Sequence, residues 1–146
     1  MHSRLKHAAL LLTMGAASLP AMAGAAERVT TDSAVYVERV GESRSRSLEP
    51  VSTLRPGDRI VTVLTWKREA PGGGFTLTNP MPRPLYYQGS ANSDEEVSVD
   101  GGRSWGRLGA LRLGSRLATP EDVTHLRWRV TSPGATGRIA YSAIVR

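Results

Sequence analysis

Period-two alternation of apolar and polar residues, closely spaced turn signals and the lack of any long helical period predict an all-β chain. The pattern is that of an antiparallel sandwich of about seven or eight short strands. No strand-helix alternation occurs, so a parallel sheet is not expected. With 146 residues the chain holds one domain at most once targeting sequence is set aside.

Residues 1–23 read as a signal peptide. His2, Arg4, Lys6 and His7 make a short basic region, and the twelve residues from Ala8 to Leu19 are apolar. Pro20 breaks that run, and Ala21-Met22-Ala23 is a small-x-small cleavage site, with Ala23-Gly24-Ala25 as a second candidate. Twelve residues are too few to cross about 30 Å of hydrocarbon as a helix, so a membrane anchor is the weaker reading. No second apolar stretch follows, and no transmembrane segment is expected in the mature chain. The expected location is the periplasm, the cell surface or the exterior.

A cut after Ala23 leaves 123 residues, an N-terminal segment at 24–33 and the domain at 34–146. A domain of that size buries about two-thirds of its unfolded surface. The chain has no cysteine although an exported compartment would permit disulfides, so its core rests on packing. Thiolate nucleophiles and cysteine metal sites are excluded with them. The mature part carries 17 basic and 13 acidic side chains, and every base except Lys67 is Arg. These Arg residues are scattered along the sequence, which favours solvated outer strand faces over a dedicated anion-binding patch.

The elements follow in order. Ala34–Val40 alternates as a strand, and Gly41–Ser47 is a polar loop. Leu54-Arg55-Pro56-Gly57-Asp58 is a turn, with Pro fixing φ and Gly supplying positive φ. Arg59–Lys67 is rich in β-branched residues and apolar on both faces, which predicts a central strand with a covered outer face. Pro71–Gly74 is a connector, and Phe75–Thr78 is a short strand. Asn79–Pro84 holds three prolines, which lack N–H donors, so it is not expected to join a ladder but to be an extended edge or a crossover between sheets. Leu85–Tyr87 resumes a strand.

Glu96–Asp100 and Arg103–Trp105 flank Gly101-Gly102, a hairpin signal because the turn needs positive φ. Thr119-Pro120-Glu121-Asp122 predicts one helical turn, with Thr as N-cap and Pro in the first position. In His125–Val130, Leu126, Trp128 and Val130 point inward. After a turn at Ser132–Gly137, Ile139, Tyr141, Ala143 and Val145 form the inward face of the last strand, which is expected to be an edge or to pair with a partner. Further inward candidates are Val35, Val37, Val61, Val63, Leu64, Trp66, Leu77, Tyr86, Val97, Val99 and Leu111.

Thr78-Asn79-Pro80-Met81-Pro82, followed by Leu85-Tyr86-Tyr87 and Gly89-Ser90-Ala91, resembles a segment of the bacterial and archaeal "conserved repeat" surface domain family of unknown function. Pro56-Gly57-Asp58, Ser98-Val99-Asp100-Gly101-Gly102 and the closing segments Val123–Trp128 and Gly137–Tyr141 are similar to that family in order and spacing. The resemblance covers roughly residues 34–146. It implies an immunoglobulin-like sandwich on an exported protein, and no reaction. Family members often carry several copies in long surface proteins, whereas this chain holds one.

Ser98-x-Asp100-x-Gly102-x-x-Trp105 also fits the Asp-box of sialidase-like propellers, a hairpin element lying away from their active sites. One box in a chain of this length is a fold element. Asp94, Glu96 and Asp100 lie in the densest acidic segment and are a weak calcium candidate, set against a solvated loop. His125, the single histidine after cleavage, has no visible orienting partner and reads as structural. No Gly-x-Ser-x-Gly elbow, phosphate loop or dinucleotide fingerprint occurs. An enzyme, a cofactor and a nucleic-acid partner are therefore not expected. Of the adjacent tyrosines, Tyr86 is assigned to the core and Tyr87 to an exposed position near Arg83.

The expected role is a non-enzymatic structural or protein-interaction module of the cell envelope, with an envelope or surface protein as partner. Its candidate surface is the loop near Arg44 and Arg46 together with Asn79, Arg83 and Tyr87. Self-association through an edge strand stays open. The alternative is a glycan- or small-ligand-binding module using calcium at Asp94, Glu96 and Asp100.

Overall fold

The computed structural model describes residues 28–146, so the expected signal peptide at 1–23 lies outside the described residues. Ten strands follow in order: β1 Val29–Val40, β2 Arg46–Pro50, β3 Arg59–Arg68, β4 Phe75–Pro80, β5 Leu85–Ser90, β6 Glu96–Ser98, β7 Arg112–Leu113, β8 Arg116–Leu117, β9 His125–Val130 and β10 Thr136–Val145. A single 3₁₀ turn at Pro120–Asp122 precedes β9. The ladders are antiparallel. They form a five-stranded sheet β2-β1-β3-β10-β5, a three-stranded sheet β4-β9-β6 and the small hairpin β7-β8. Among the described residues no helix is long and apolar enough to cross a membrane.

The two larger sheets share one core. Val37, Ile60, Leu64, Trp66, Tyr87 and Tyr141 enter from the wider sheet, and Leu77, Val97, Leu126 and Trp128 from the narrower one. Strict alternation along β3 selects its inward set: Ile60, Thr62, Leu64, Trp66 and Arg68 are buried. Arg68 is the unusual member, at 1% exposure. It donates from Nε to the Gly134 carbonyl (2.8 Å), from Nη1 to Gly73 (2.6 Å) and from Nη2 to Ser132 (2.5 Å). Its guanidinium also lies 5.5 Å from the Trp66 ring and 5.6 Å from Phe75. One buried cation thereby fastens the β3–β4 and β9–β10 connections.

β3 is central, between β1 and β10, as its β-branched run predicts. Its outer face differs from expectation. Val61 and Val63 are half-buried and line a groove of about 420 Å³ with Leu48 and Ala140, while Thr65 and Lys67 are exposed. Neighbouring strands of the same sheet shelter the two valines.

Four further expectations need correction. β1 begins at Val29 rather than Ala34, because Val29–Ser33 pair with Arg68–Leu64 of β3. The polar loop at Gly41–Ser47 is the tip of a β1–β2 hairpin, with Val40 opposite Arg46, and β2 is exposed throughout. β10 is flanked by β3 and β5, so the last strand is not an edge. Tyr87, not Tyr86, enters the core at 4% exposure. Leu85 lies two residues before Tyr87 and is also buried. That i, i+2 relationship was the available signal for the right tyrosine.

Contrary to the expectation that 79–84 joins no ladder, Asn79 and Pro80 close the edge strand β4 opposite Leu126 and His125, and residues 81–84 then cross to β5 in the other sheet. Pro is tolerated at the end of an edge strand, where its missing N–H removes little from the ladder. The Asp100-Gly101-Gly102 turn forms as predicted, with φ of 78° and 88° at its glycines. Its second arm is a single bridge between Val97 and Gly106.

Candidate functional site

Most sheet edges of this domain carry a device that discourages another strand. β2 mixes charges with Pro50, β4 ends in Pro80, and β6 is three residues long. β5 follows Pro84, and its ladder with β10 carries an irregularity between Ser142 and Ala143. The longest unpaired stretch is the first half of β1. Residues Val29–Val35 pair with β3 on one side, whereas β2 engages only Tyr36–Val40 on the other.

Seven residues, Val-Thr-Thr-Asp-Ser-Ala-Val, therefore present an unpaired edge about 23 Å long. Among the described residues no other backbone group bonds to it. The stretch has four β-branched residues, no Pro or Gly, and Asp32 as its one charge. Such a composition favours extended backbone and offers little to repel an incoming strand.

The sheet widths explain the exposure. A three-stranded sheet does not cover a five-stranded one. Thr31, Ser33 and Val35 sit opposite Trp66, Leu64 and Thr62, so they lie on the core-facing side, yet all three are exposed. Val35 is 36% exposed. An added strand would satisfy the open backbone groups and place side chains beside these residues.

The structure disperses the residues singled out in the sequence. Arg44 is exposed at the β1–β2 tip with φ of 58°, and Arg46 pairs with Glu38 at 3.3 Å. Asn79 is half-buried and donates from Nδ2 to the Tyr141 hydroxyl and the Pro80 carbonyl, both at 3.0 Å. Tyr87 is buried and donates its hydroxyl to Glu95, which Ser90 also contacts. Burial, together with hydrogen bonding to Glu95 and its charge, raises the Tyr87 pKa. Burial pushes the Glu95 carboxyl up, but the hydrogen bonds from Ser90 and Tyr87 outweigh it and leave the pKa lowered.

Arg83, like Arg44 and Arg46, is exposed. It borders a cleft of about 510 Å³ with Met81, Glu121, Val123, His125 and Arg146.

The calcium candidates are already engaged or apart. Asp100 Oδ1 accepts from the Ser98 hydroxyl (2.8 Å) and from the N–H groups of Arg103 (3.1 Å) and Ser104 (2.9 Å), and Oδ2 accepts from the Ser104 hydroxyl (2.6 Å). These bonds hold its carboxyl well below the usual range, the Ser104 hydroxyl contributing most. Glu96 pairs with Arg127 at 2.7 Å, and Asp94 is exposed. Among the described residues no group of three or more His, Asp or Glu is placed to hold a metal ion.

Asp100 instead organises the hairpin whose Trp105 donates from Nε1 to the Gly102 carbonyl at 3.0 Å. Arg127 caps the Trp105 ring at 4.4 Å, and His125 packs against its edge at 6.3 Å.

A second cleft, of about 260 Å³, is lined by Trp66, Trp128, Asn92, Asp94, Arg129 and Arg138 among others. Trp128 is buried, and among the described residues its indole N–H has no hydrogen-bond partner. A first strand read from Ala34 leaves out most of the open β1 edge, which begins at Val29.

Among the described residues, fold and site thus define an all-β, antiparallel protein of a five-, a three- and a two-stranded sheet, with an unpaired strand edge at Val29–Val35. No protein-family model, curated protein or solved structure matches the chain.

Proposed function

We propose that the chain is an exported, non-enzymatic protein-interaction module of the cell envelope, built as an immunoglobulin-like sandwich. In this reading it captures an extended segment of another envelope protein by strand addition to Val29–Val35. The observation that carries the reading is the unpaired seven-residue edge on an otherwise guarded pair of sheets. A second copy is the weaker occupant. Antiparallel pairing of the whole open stretch with itself sets Asp32 opposite Asp32, and like charges directly opposite destabilise a ladder.

The test is affinity capture from envelope extract, followed by hydrogen exchange on the recovered complex. The reading expects protection of amides within 29–35 in the complex. It also expects Val35→Lys to reduce capture while Arg44→Glu/Arg46→Glu does not. Protection confined to Met81–Leu85, with 29–35 still exchanging freely, would transfer the function to the Arg83 cleft.

A small-ligand reading is supported separately by the unpartnered Trp128 N–H beside the 260 Å³ cleft. Saturable quenching of tryptophan fluorescence by a glycan, lost in Arg138→Ala, would favour it.

A further inference from the structure

Between Asp100 and Glu121 the sequence has no acidic residue, and it carries Arg103, Arg107, Arg112 and Arg116. This segment folds as a braced projection. Leu108 and Leu111 pack against the core at its base, and the Ala118 N–H closes the base by donating to the Leu111 carbonyl at 2.9 Å. Beyond that closure, β7 and β8 pair Arg112 with Leu117 and Leu113 with Arg116. Gly114 turns the chain with φ of 62°, and Arg112 bonds across the turn to the Ser115 carbonyl. Arg116 is fastened to Asp122 through two bonds of 2.6 and 2.8 Å.

The hairpin is therefore held in shape with its apolar side chains in water. Leu113 is 39% exposed and Leu117 54%. Some arginines of the wider sheet face carboxylates: Arg39 pairs with Asp58, and Arg46 and Arg59 share Glu38. Arg103, Arg107 and Arg112 are exposed, and among the described residues they form no ion pair.

We propose that the 103–118 projection docks tip-first on an anionic phospholipid surface, so that Leu113 and Leu117, which lie on opposite faces of the hairpin, both enter the interface and Arg103, Arg107 and Arg112 meet lipid phosphates. The physical terms match. Each Arg near an anionic bilayer strengthens partitioning roughly fivefold, and exposed leucines add apolar burial that a soluble polyanion cannot provide. This docking is independent of strand addition at β1.

The experiment exploits the lack of cysteine in the chain. Leu113→Cys is labelled with an environment-sensitive dye and mixed with vesicles of phosphatidylcholine, or of phosphatidylcholine plus phosphatidylglycerol. A Ser43→Cys label serves as reference. The expected result is a blue shift at position 113 on the anionic vesicles only, and none at position 43.

In cosedimentation of the full chain, Arg107→Glu/Arg112→Glu removes most of the difference between anionic and neutral vesicles. Leu113→Ser/Leu117→Ser lowers that difference about tenfold. Arg44→Glu/Arg46→Glu, with the same charge change, leaves it largely intact. Equal losses in the two charge-reversal pairs would overturn the proposal, and so would a dye at 113 that stays in water. Dependence on the arginines without the leucines would also overturn it, in favour of a soluble polyanion.

Discussion

Gly137 of β10 stands directly opposite Trp66 of β3, and a Cβ on that glycine would come within 2.4 Å of the indole Cζ2. The ring fills the space that a side chain would take. Trp66 is itself held by an edge contact with Phe75 at 5.1 Å and by the Arg68 guanidinium, so it has little room to withdraw.

Gly137→Ala should therefore destabilise the domain by about 1–3 kcal/mol, the range for overpacking a close-packed site. Urea denaturation followed by tryptophan fluorescence measures it. Combining Gly137→Ala with Trp66→Phe should cost less than the two single changes summed, because the smaller ring makes room for the methyl group. Simple additivity would show that the clash is relieved elsewhere.

Arg68→Met keeps most of the side-chain stem and removes the donors. The carbonyls of Gly73, Ser132 and Gly134 then lose the guanidinium that joins them. The expected loss is about 3 kcal/mol, since the charge-assisted hydrogen bonds of a buried side chain are lost together. Amides in the β3–β4 and β9–β10 connections should exchange faster in the variant at temperatures where the sheets stay folded. Unchanged exchange there would mean that the two connections hold their shape without Arg68.

Acid should weaken this fold through its hydrogen-bonded carboxyls. The Arg116 guanidinium, with the Thr119 N–H, holds Asp122 well below the usual carboxylate range, as the Ser104 hydroxyl does first for Asp100. Glu95 is lowered too. A depressed folded pKa stabilises above the unfolded value of about 4 and loses that contribution as pH falls through the folded value. Thermal stability should therefore change little from pH 7 to about 5 on account of these groups, and decline below about pH 4. Asp100→Asn should make the decline shallower. A melting temperature constant from pH 7 to about 3 would refute this assignment.

The Asp100 hairpin makes a local prediction as well. Asp100→Ala removes the acceptor shared by the Arg103 and Ser104 N–H groups, so both amides should exchange markedly faster. Trp105 emission should shift to the red as its ring loses its seat beneath Arg127. An unmoved emission maximum would mean that Arg127 and His125 alone position the indole.

What the sequence determined here is local chemistry. Alternation along Arg59–Lys67 and His125–Val130 specified strands, and Asp100-Gly101-Gly102 specified a positive-φ turn. Thr119-Pro120 specified the start of a 3₁₀ turn that Asp122 closes by accepting from the Thr119 N–H at 2.8 Å. Each of these depends on residues within a few positions of one another.

Tertiary structure decided the rest, because strand pairing joins residues far apart in the chain. Thr31 meets Trp66, and Val29 meets Arg68, only through the β1–β3 register. That register turned an unassigned N-terminal segment into half of a strand. The short β2, which pairs only with Tyr36–Val40, then left that half-strand with one open edge. Likewise, the Arg and Leu residues of 103–118 are scattered in sequence and are gathered on one projection only when Leu111 and Ala118 close the base of their hairpin. A period-two pattern assigns faces within a strand, but it carries no information on which neighbour lies beside it.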